Sequence, residues 1–153
     1  MPVTKAVIPA AGFGTRFLPA TKSVPKEMLP VVDTPTIQYV VEECVESGIT
    51  DILIVIGQGK RALEEHFYSS REVEKRLEEN GQFPLLEKVR RISEMANIHF
   101  VWQKDLNGLG DAVSHGRTFV GSDPFALLLG DTILRESDSS QPILQQMIEI
   151  HEA

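Results

Sequence analysis

The chain has one cysteine among its 153 residues, Cys44. A single thiol excludes an internal disulfide and a cysteine-rich zinc site, and it points to a reducing compartment, the cytoplasm. Cys44 lies in a helical pattern and reads as a packed core residue. No apolar run reaches the roughly 20 residues that a helix needs to cross a bilayer, so no membrane partner is expected. The N-terminus lacks the basic, apolar, small-residue order of a secretory signal. Basic residues are scarce: 15 Lys and Arg face 22 Asp and Glu, for a net charge of -7. With a pI near 5.1, the chain lacks the basic face of a general binder of nucleic acid or anionic membrane. His66, His99, His115 and His151 show no metal-ligand spacing and read as surface or packing residues. What remains is the ordinary composition of a soluble globular domain with a real core.

One absence is local. Residues 1–26 contain Lys5, Arg16, Lys22 and Lys26 and no Asp or Glu, so residues 27–153 carry 11 basic against 22 acidic side chains. The cationic stretch includes a glycine turn, Gly12-Phe13-Gly14-Thr15-Arg16. A cationic glycine loop on an acidic protein suits a phosphate group, not a nucleic-acid backbone.

Along the chain, strand and helix patterns alternate. Residues 4–10 read as a buried strand. Residues 35–48 read as a helix with Thr34 as N-cap, Pro35 at its first position and Gly48 as its stop. Ile37, Val40, Val41, Cys44 and Val45 share one face of it. Ile52 to Ile56 is a continuous apolar run suited to a parallel strand covered on both faces. Residues 60–80 read as a charged helix with Leu63, Phe67, Val73 and Leu77 inward and the run from Glu72 to Glu79 as a solvated face. A helix over 84–96, a strand over 98–103, a helix over 110–119, a strand over 125–129 and a helix over 141–151 complete the order. Trp102 alternates with Gln103 on its strand and is expected in the core. The fold class is therefore α/β, with a mostly parallel sheet flanked by helices and right-handed crossovers. Residues 11–34 are long for a connection, and Pro19, Pro25, Pro30 and Pro35 stiffen them, so the loop reads as shaped and functional. Ligands in such sheets sit outside the carboxyl ends of several strands. A site begun here would normally be completed by later strands, so the chain reads as an N-terminal portion of a larger enzyme.

Three segments carry chemistry. In the glycine turn, backbone N–H groups can approach an anion closely. The turn lacks the third glycine and immediate helix of a dinucleotide fingerprint, and it lacks the Gly-Lys-Ser/Thr of a Walker loop. A plain tight turn after a strand would also explain two glycines. Arg16 adds a planar fork for phosphate oxygens, and Lys26 adds a compact mobile charge. Asp131 follows an apolar strand and Gly130, where a Mg²⁺ ligand belongs, although a turn aspartate is the plain alternative. Gln103, with Gly108 beyond it, offers an amide to the edge of a base and a backbone a base can lie against. Asp111 also fits a first-turn helix residue favoured by the helix dipole.

Taken together, Ala11-Gly12-Phe13-Gly14-Thr15-Arg16-Phe17-Leu18-Pro19, Pro25-Lys26-Glu27-Met28-Leu29-Pro30-Val31, Gln103-Lys104 with Gly108-Leu109-Gly110, and Leu128-Leu129-Gly130-Asp131 resemble the bacterial-type UTP–glucose-1-phosphate uridylyltransferases, also called UDP-glucose pyrophosphorylases. The likeness spans essentially the whole chain and includes Gly59 to Phe67. It implies a Rossmann-like nucleotide-diphospho-sugar transferase (glycosyltransferase-A-like) fold, truncated here. It also implies UTP and glucose-1-phosphate as partners, Mg²⁺ as cofactor and a homo-oligomeric full-length form. By the same resemblance, Gly12, Gly14, Thr15 and Arg16 hold the triphosphate, with Arg16 on the leaving pyrophosphate. Lys26 bridges to the α-phosphate. Ala11, Gly12, Glu27, Gln103 and Gly108 surround uracil and ribose, and Asp131 binds Mg²⁺. Arg16 and Lys26 are the catalytic candidates. The family often has Asp at Thr132, His at Asp111 and proline near Asn107, departures that touch substrate preference. Its members run to roughly twice this length, so a sugar-binding part is expected to be absent and this chain alone incomplete for catalysis. Thymidylyl transfer, or a non-catalytic nucleotide-binding module, are the alternative readings.

Overall fold

The computed structural model describes residues 1–135 and 141–153. Its centre is a parallel sheet. The chain enters through β1 (Lys5–Pro9), whose Ala6, Val7 and Ile8 are fully buried. The loop that follows ends in a two-stranded hairpin, β2 (Pro30–Val31) and β3 (Thr34–Pro35), and leads into α1 (Thr36–Glu46). Then come β4 (Asp51–Ile56), α2 (Arg61–Phe67), α3 (Arg71–Glu79), α4 (Phe83–Glu94) and β5 (Asn97–Trp102). Two short helices, α5 (Leu109–Ser114) and α6 (Arg117–Val120), precede β6 (Ala126–Leu127), and α7 (Ile143–Glu152) follows. The sheet order is β5-β4-β1-β6, every pair parallel, with Ala6 opposite both Ile52 and Ala126.

Strand alternation divides the core between the two faces of the sheet. Ala6, Ile8, Ile52, Ile54 and Ile56 point to one side, where Ile37, Val40, Val41 and Cys44 of α1, Leu63 and Phe67 of α2 and Leu144 of α7 cover them. Val7 and Val55 point to the other, against Ala112 and Val120. This two-sided burial is why β1 and β4 read as unbroken apolar runs.

Several expectations need correction. The helix expected over 60–80 is two helices, broken at Tyr68–Ser70, and only its first half faces the core. Leu63 and Phe67 are buried, whereas Val73 is exposed and Leu77 half-buried. The helix expected over 110–119 breaks at His115–Gly116. A Cβ on Gly116 would lie 3.0 Å from a Val7 methyl carbon, so the chain passes too close to β1 for a side chain there. Thr34 is not the cap of α1. It belongs to β3, its hydroxyl donates to Asp33, and Pro35 takes the cap position without a side-chain bond. Gly48 does end α1, with φ +84. Trp102, expected inside, is 48% exposed because it is the last residue of the outermost strand, while its neighbour Gln103 turns inward. Among the described residues no helix is long and apolar enough to cross a membrane.

Candidate functional site

The carboxyl ends of β1, β5 and β6 open on one cleft. Ala10, Ala11 and Gly12 arrive from β1, Gln103 from β5, and Gly130-Asp131 from β6, whose ladder continues as Leu128 N–H donates to Val7 O and Gly130 N–H to Pro9 O. Gly57, at the end of β4, packs so tightly on Ala11 that a Cβ would sit 3.0 Å from the Ala11 carbonyl oxygen. The cleft holds about 370 Å³ and is lined by Ala11, Gly12, Lys26, Glu27, Gln103, Gly108 and Asp131, with Leu106, Leu109 and Leu129 as apolar walls.

The long loop is ordered by its own bonds. Three 3₁₀ turns, Thr15–Phe17, Ala20–Lys22 and Lys26–Met28, fold it back on itself. Thr21 Oγ1 donates to Gly14 O at 2.7 Å, and Phe17 N–H donates to the same oxygen. At the far end Thr36 donates to Leu29 O through both its N–H and its hydroxyl. The Leu18–Pro19 peptide is cis. Gly14 has φ +67, and its bare Cα lies against the stem of Lys26, whose Cβ would be 3.0 Å from an added Cβ. That close approach aims Lys26 across the cleft.

Lys26 Nζ donates to Asp131 Oδ2 at 2.6 Å, with both side chains about one-quarter exposed. One turn position further, Glu27 points inward and is fully buried. Its Oε2 accepts from Lys60 Nζ at 2.7 Å, and Lys60 is itself 3% exposed. Burial pushes the Glu27 carboxyl above its ordinary range, and the Lys60 ammonium pulls against that shift. Among the described residues, Glu27 Oε1 is the one buried side-chain oxygen or nitrogen without a hydrogen-bond partner. At the opposite wall, Gln103 Nε2 donates to Asp111 Oδ2 at 2.6 Å, with a longer 3.4 Å approach to Gly108 O. Gly108, with φ +97, turns the chain beneath it.

The structure therefore gathers Ala11, Gly12, Lys26, Glu27, Gln103, Gly108 and Asp131 in one place. It does not bring Gly14, Thr15 and Arg16 to the lining. Gly14 lies behind Lys26, while Thr15 and Arg16 are exposed on the first 3₁₀ turn. Two residues escape sequence reasoning. Lys60 sits in a charged stretch that suggests solvent, and its partner is 33 positions away. Asp111 had a sufficient local explanation in its own helix, yet it orients Gln103 from 8 positions away.

A family model described as "Nucleotidyl transferase" matches residues 5–153. The chain belongs to the nucleotidyl transferase family. The UTP–glucose-1-phosphate uridylyltransferase of Bacillus subtilis (strain 168) is 57% identical to it over 150 residues, which is 98% of this chain and 50% of that protein. A second curated relative, UTP–glucose-1-phosphate uridylyltransferase 2 of Staphylococcus saprophyticus, is 55% identical over 98% of this chain and 51% of its own length. A solved structure of UTP-bound UGPase from Acinetobacter baumannii superposes with a TM-score of 0.93 at 44% identity, covering 98% of this chain and 53% of that one. The chain thus spans about half the length of the curated relatives it matches, and over that half its parallel sheet and flanking helices are those of the family.

Proposed function

We propose that the cleft is the nucleotide side of a uridylyl transfer, in which glucose-1-phosphate and UTP give UDP-glucose and pyrophosphate. The observation that carries this reading is the convergence of Lys26 and Asp131 with Gln103 and Gly108 at the strand ends. A cation for phosphate, a carboxylate for a metal ion and an amide wall for a base lie around one 370 Å³ space. The likeness to a UTP-bound neighbour and to relatives named for uridylyl transfer supports uracil over thymine.

In this reading a phosphate oxygen of glucose-1-phosphate attacks the α-phosphorus of UTP, and the bond from that phosphorus to the oxygen bridging to the β-phosphorus breaks. Pyrophosphate leaves, and the chain forms no covalent bond to substrate. Its work is positioning and charge neutralisation. Lys26 stabilises charge at the α-phosphate. Gly12 lets the loop backbone approach the phosphates. Gly14, Thr15 and Arg16 lie outside the lining, and their part in holding the triphosphate rests on the likeness to the uridylyltransferases alone. Ala11, Gln103 and Gly108 hold uracil and ribose, with the fully buried Glu27 beneath them, and Asp111 keeps the Gln103 amide in one orientation.

Asp131 is the residue that would hold Mg²⁺. Among the described residues no cluster of three or more His, Cys, Asp or Glu could hold a metal, so Asp131 would be a lone carboxylate ligand, released to the ion when Lys26 turns to phosphate. Mg²⁺ takes few carboxylates and completes its shell with substrate phosphates, whose charge it neutralises. The setting is cytoplasmic, in keeping with the free, buried thiol of Cys44.

Calorimetric titration of the 153-residue chain with UTP and Mg²⁺, against CTP, tests this. Saturable binding selective for UTP is the expected result. Absence of UTP binding by the folded chain would sink the reading for this chain.

A further inference from the structure

The buried pair of Lys60 and Glu27 stands out because buried ion pairs are in general poor stabilisers. Both side chains are almost completely enclosed, at 4% and 0% exposure. Removing two charges from water costs several kcal/mol each, and apolar replacements of such pairs are often as stable or more so. Lys60 also precedes α2, at the helix end where a positive charge is disfavoured. Both features make sense if the pair serves its neighbours.

Those neighbours are Lys26 and Asp131. Lys26 and Glu27 are consecutive residues of one 3₁₀ turn, the first reaching Asp131 and the second, fully buried, reaching Lys60. Glu27 runs directly beneath the end of β6, where a Cβ on Gly130 would lie 3.3 Å from Glu27 Cγ. Asp131 follows immediately. Two carboxylates, Asp131 and Glu27, therefore lie on either side of Lys26: Asp131 accepts from its ammonium at 2.6 Å, and Glu27 is its neighbour in the chain, occupied by Lys60 at 2.7 Å. If Lys60 were absent, the buried Glu27 carboxylate would have Lys26 as the cation next to it.

We propose that Lys60 is a positioning residue: it occupies the Glu27 carboxylate so that Lys26 stays over Asp131, available to the nucleotide phosphates. The inference rests on the nucleotide reading above and adds a residue outside the cleft lining to it. Lys60 touches no substrate, and its effect passes entirely through the charge on Glu27.

The test compares UTP–Mg²⁺ binding by calorimetry for the 153-residue chain and its Lys60→Met, Glu27→Gln and Glu27→Gln/Lys60→Met variants, each checked for folding by circular dichroism. Lys60→Met should weaken binding by about tenfold, the size of one charge-assisted hydrogen bond to phosphate. In the Glu27→Gln background the same change should cost less than about threefold, because no carboxylate remains to capture Lys26. A purely structural role for Lys60 predicts equal losses in both backgrounds, and that result overturns the proposal. So does parent-like binding by Lys60→Met. Should Lys60→Met not fold, the comparison of Glu27→Gln with the double variant decides, since neither holds the orphaned carboxylate. Failure of the parent chain to bind UTP overturns the nucleotide reading and this inference with it. Selective binding by the parent with equal Lys60 losses overturns this inference only.

Discussion

The Lys26 ammonium and the Asp131 carboxylate, 105 positions apart in the chain, meet at 2.6 Å. Without ligands, the residue proposed for phosphate thus neutralises the residue proposed for metal. The two cations compete for one carboxylate. Lys26→Met should therefore bind Mn²⁺ more tightly than the parent when no nucleotide is present, and bind UTP more weakly. Electron paramagnetic resonance of free Mn²⁺ reads the first effect and calorimetry the second. Unchanged Mn²⁺ affinity would show that Asp131 is not the metal ligand.

Gly14 is left-handed and in contact with the Lys26 stem. Gly14→Ala meets both an unfavourable backbone region and a 3.0 Å approach to Lys26 Cβ. A loss of about 1–2 kcal/mol of stability is expected from the backbone and the crowding together. Urea denaturation measures it, and UTP affinity should fall in parallel because Lys26 must move. A variant with the parent's midpoint and affinity would show that the loop adapts freely.

Cys44 is fully buried, and burial pushes its thiol up to about 12. Near pH 8 it is protonated and shielded, so a thiol-specific disulfide reagent should label the native chain at the rate of its unfolding only. Denaturant should release one reactive thiol per chain. Prompt labelling of the folded protein would place Cys44 nearer the surface.

His66 lies half-buried with its Nε2 3.0 Å from Gln38 Oε1, and burial lowers its pKa below the ordinary 6.5. The folded chain therefore favours the neutral ring, while the unfolded chain takes up the proton first as pH falls. This contribution to stability is present above pH 6.5 and is lost as pH falls through the lower, folded value. Glu27, shifted upward, acts in the opposite sense, so the comparison must be made by variant. His66→Gln should show a smaller stability loss than the parent between about pH 7 and about pH 5 in urea denaturation. Equal losses would assign the acid sensitivity to other groups.

Asp111 holds the Gln103 amide through a 2.6 Å bond. Asp111→Ala leaves that amide able to rotate and present either its oxygen or its nitrogen to a base. The ratio of UTP to CTP affinity should fall toward one, with a smaller change in UTP affinity itself, as measured by paired titrations. An unaltered ratio would remove Gln103 from base selection.

The parts of this molecule legible in its sequence are those set by local repetition. The apolar runs of β1 and β4 announce strands covered on both faces, and the stripe from Ile37 to Cys44 announces the inner face of α1. The cleft was legible as a set of residue types at strand ends. What stayed hidden depends on contacts between distant segments. The break at Gly116 follows from its approach to Val7, and the exposure of Trp102 from its place on the outermost strand. Val73 continues a helical stripe from Phe67, but Tyr68–Ser70 interrupt the helix without a proline or glycine to signal it. Lys60 reads as a surface charge until Glu27, in another loop, is found against it. The exposure of Thr15 and Arg16 follows from the fold of the loop, which the positions of its prolines suggest but do not determine.

The order β5-β4-β1-β6 also has a consequence for assembly. β1 precedes its neighbours in the sequence, yet it lies between two strands that follow it. Its partners lie at residues 51–55 on one side and 126–127 on the other. Closing such distant pairs is slow relative to local helix formation. The segment Ala6-Val7-Ile8 therefore stays apolar and half-paired until residues 126–127 have been synthesised. Conditions that slow translation between β4 and β6 should lengthen that exposure and favour aggregation of the nascent chain over folding.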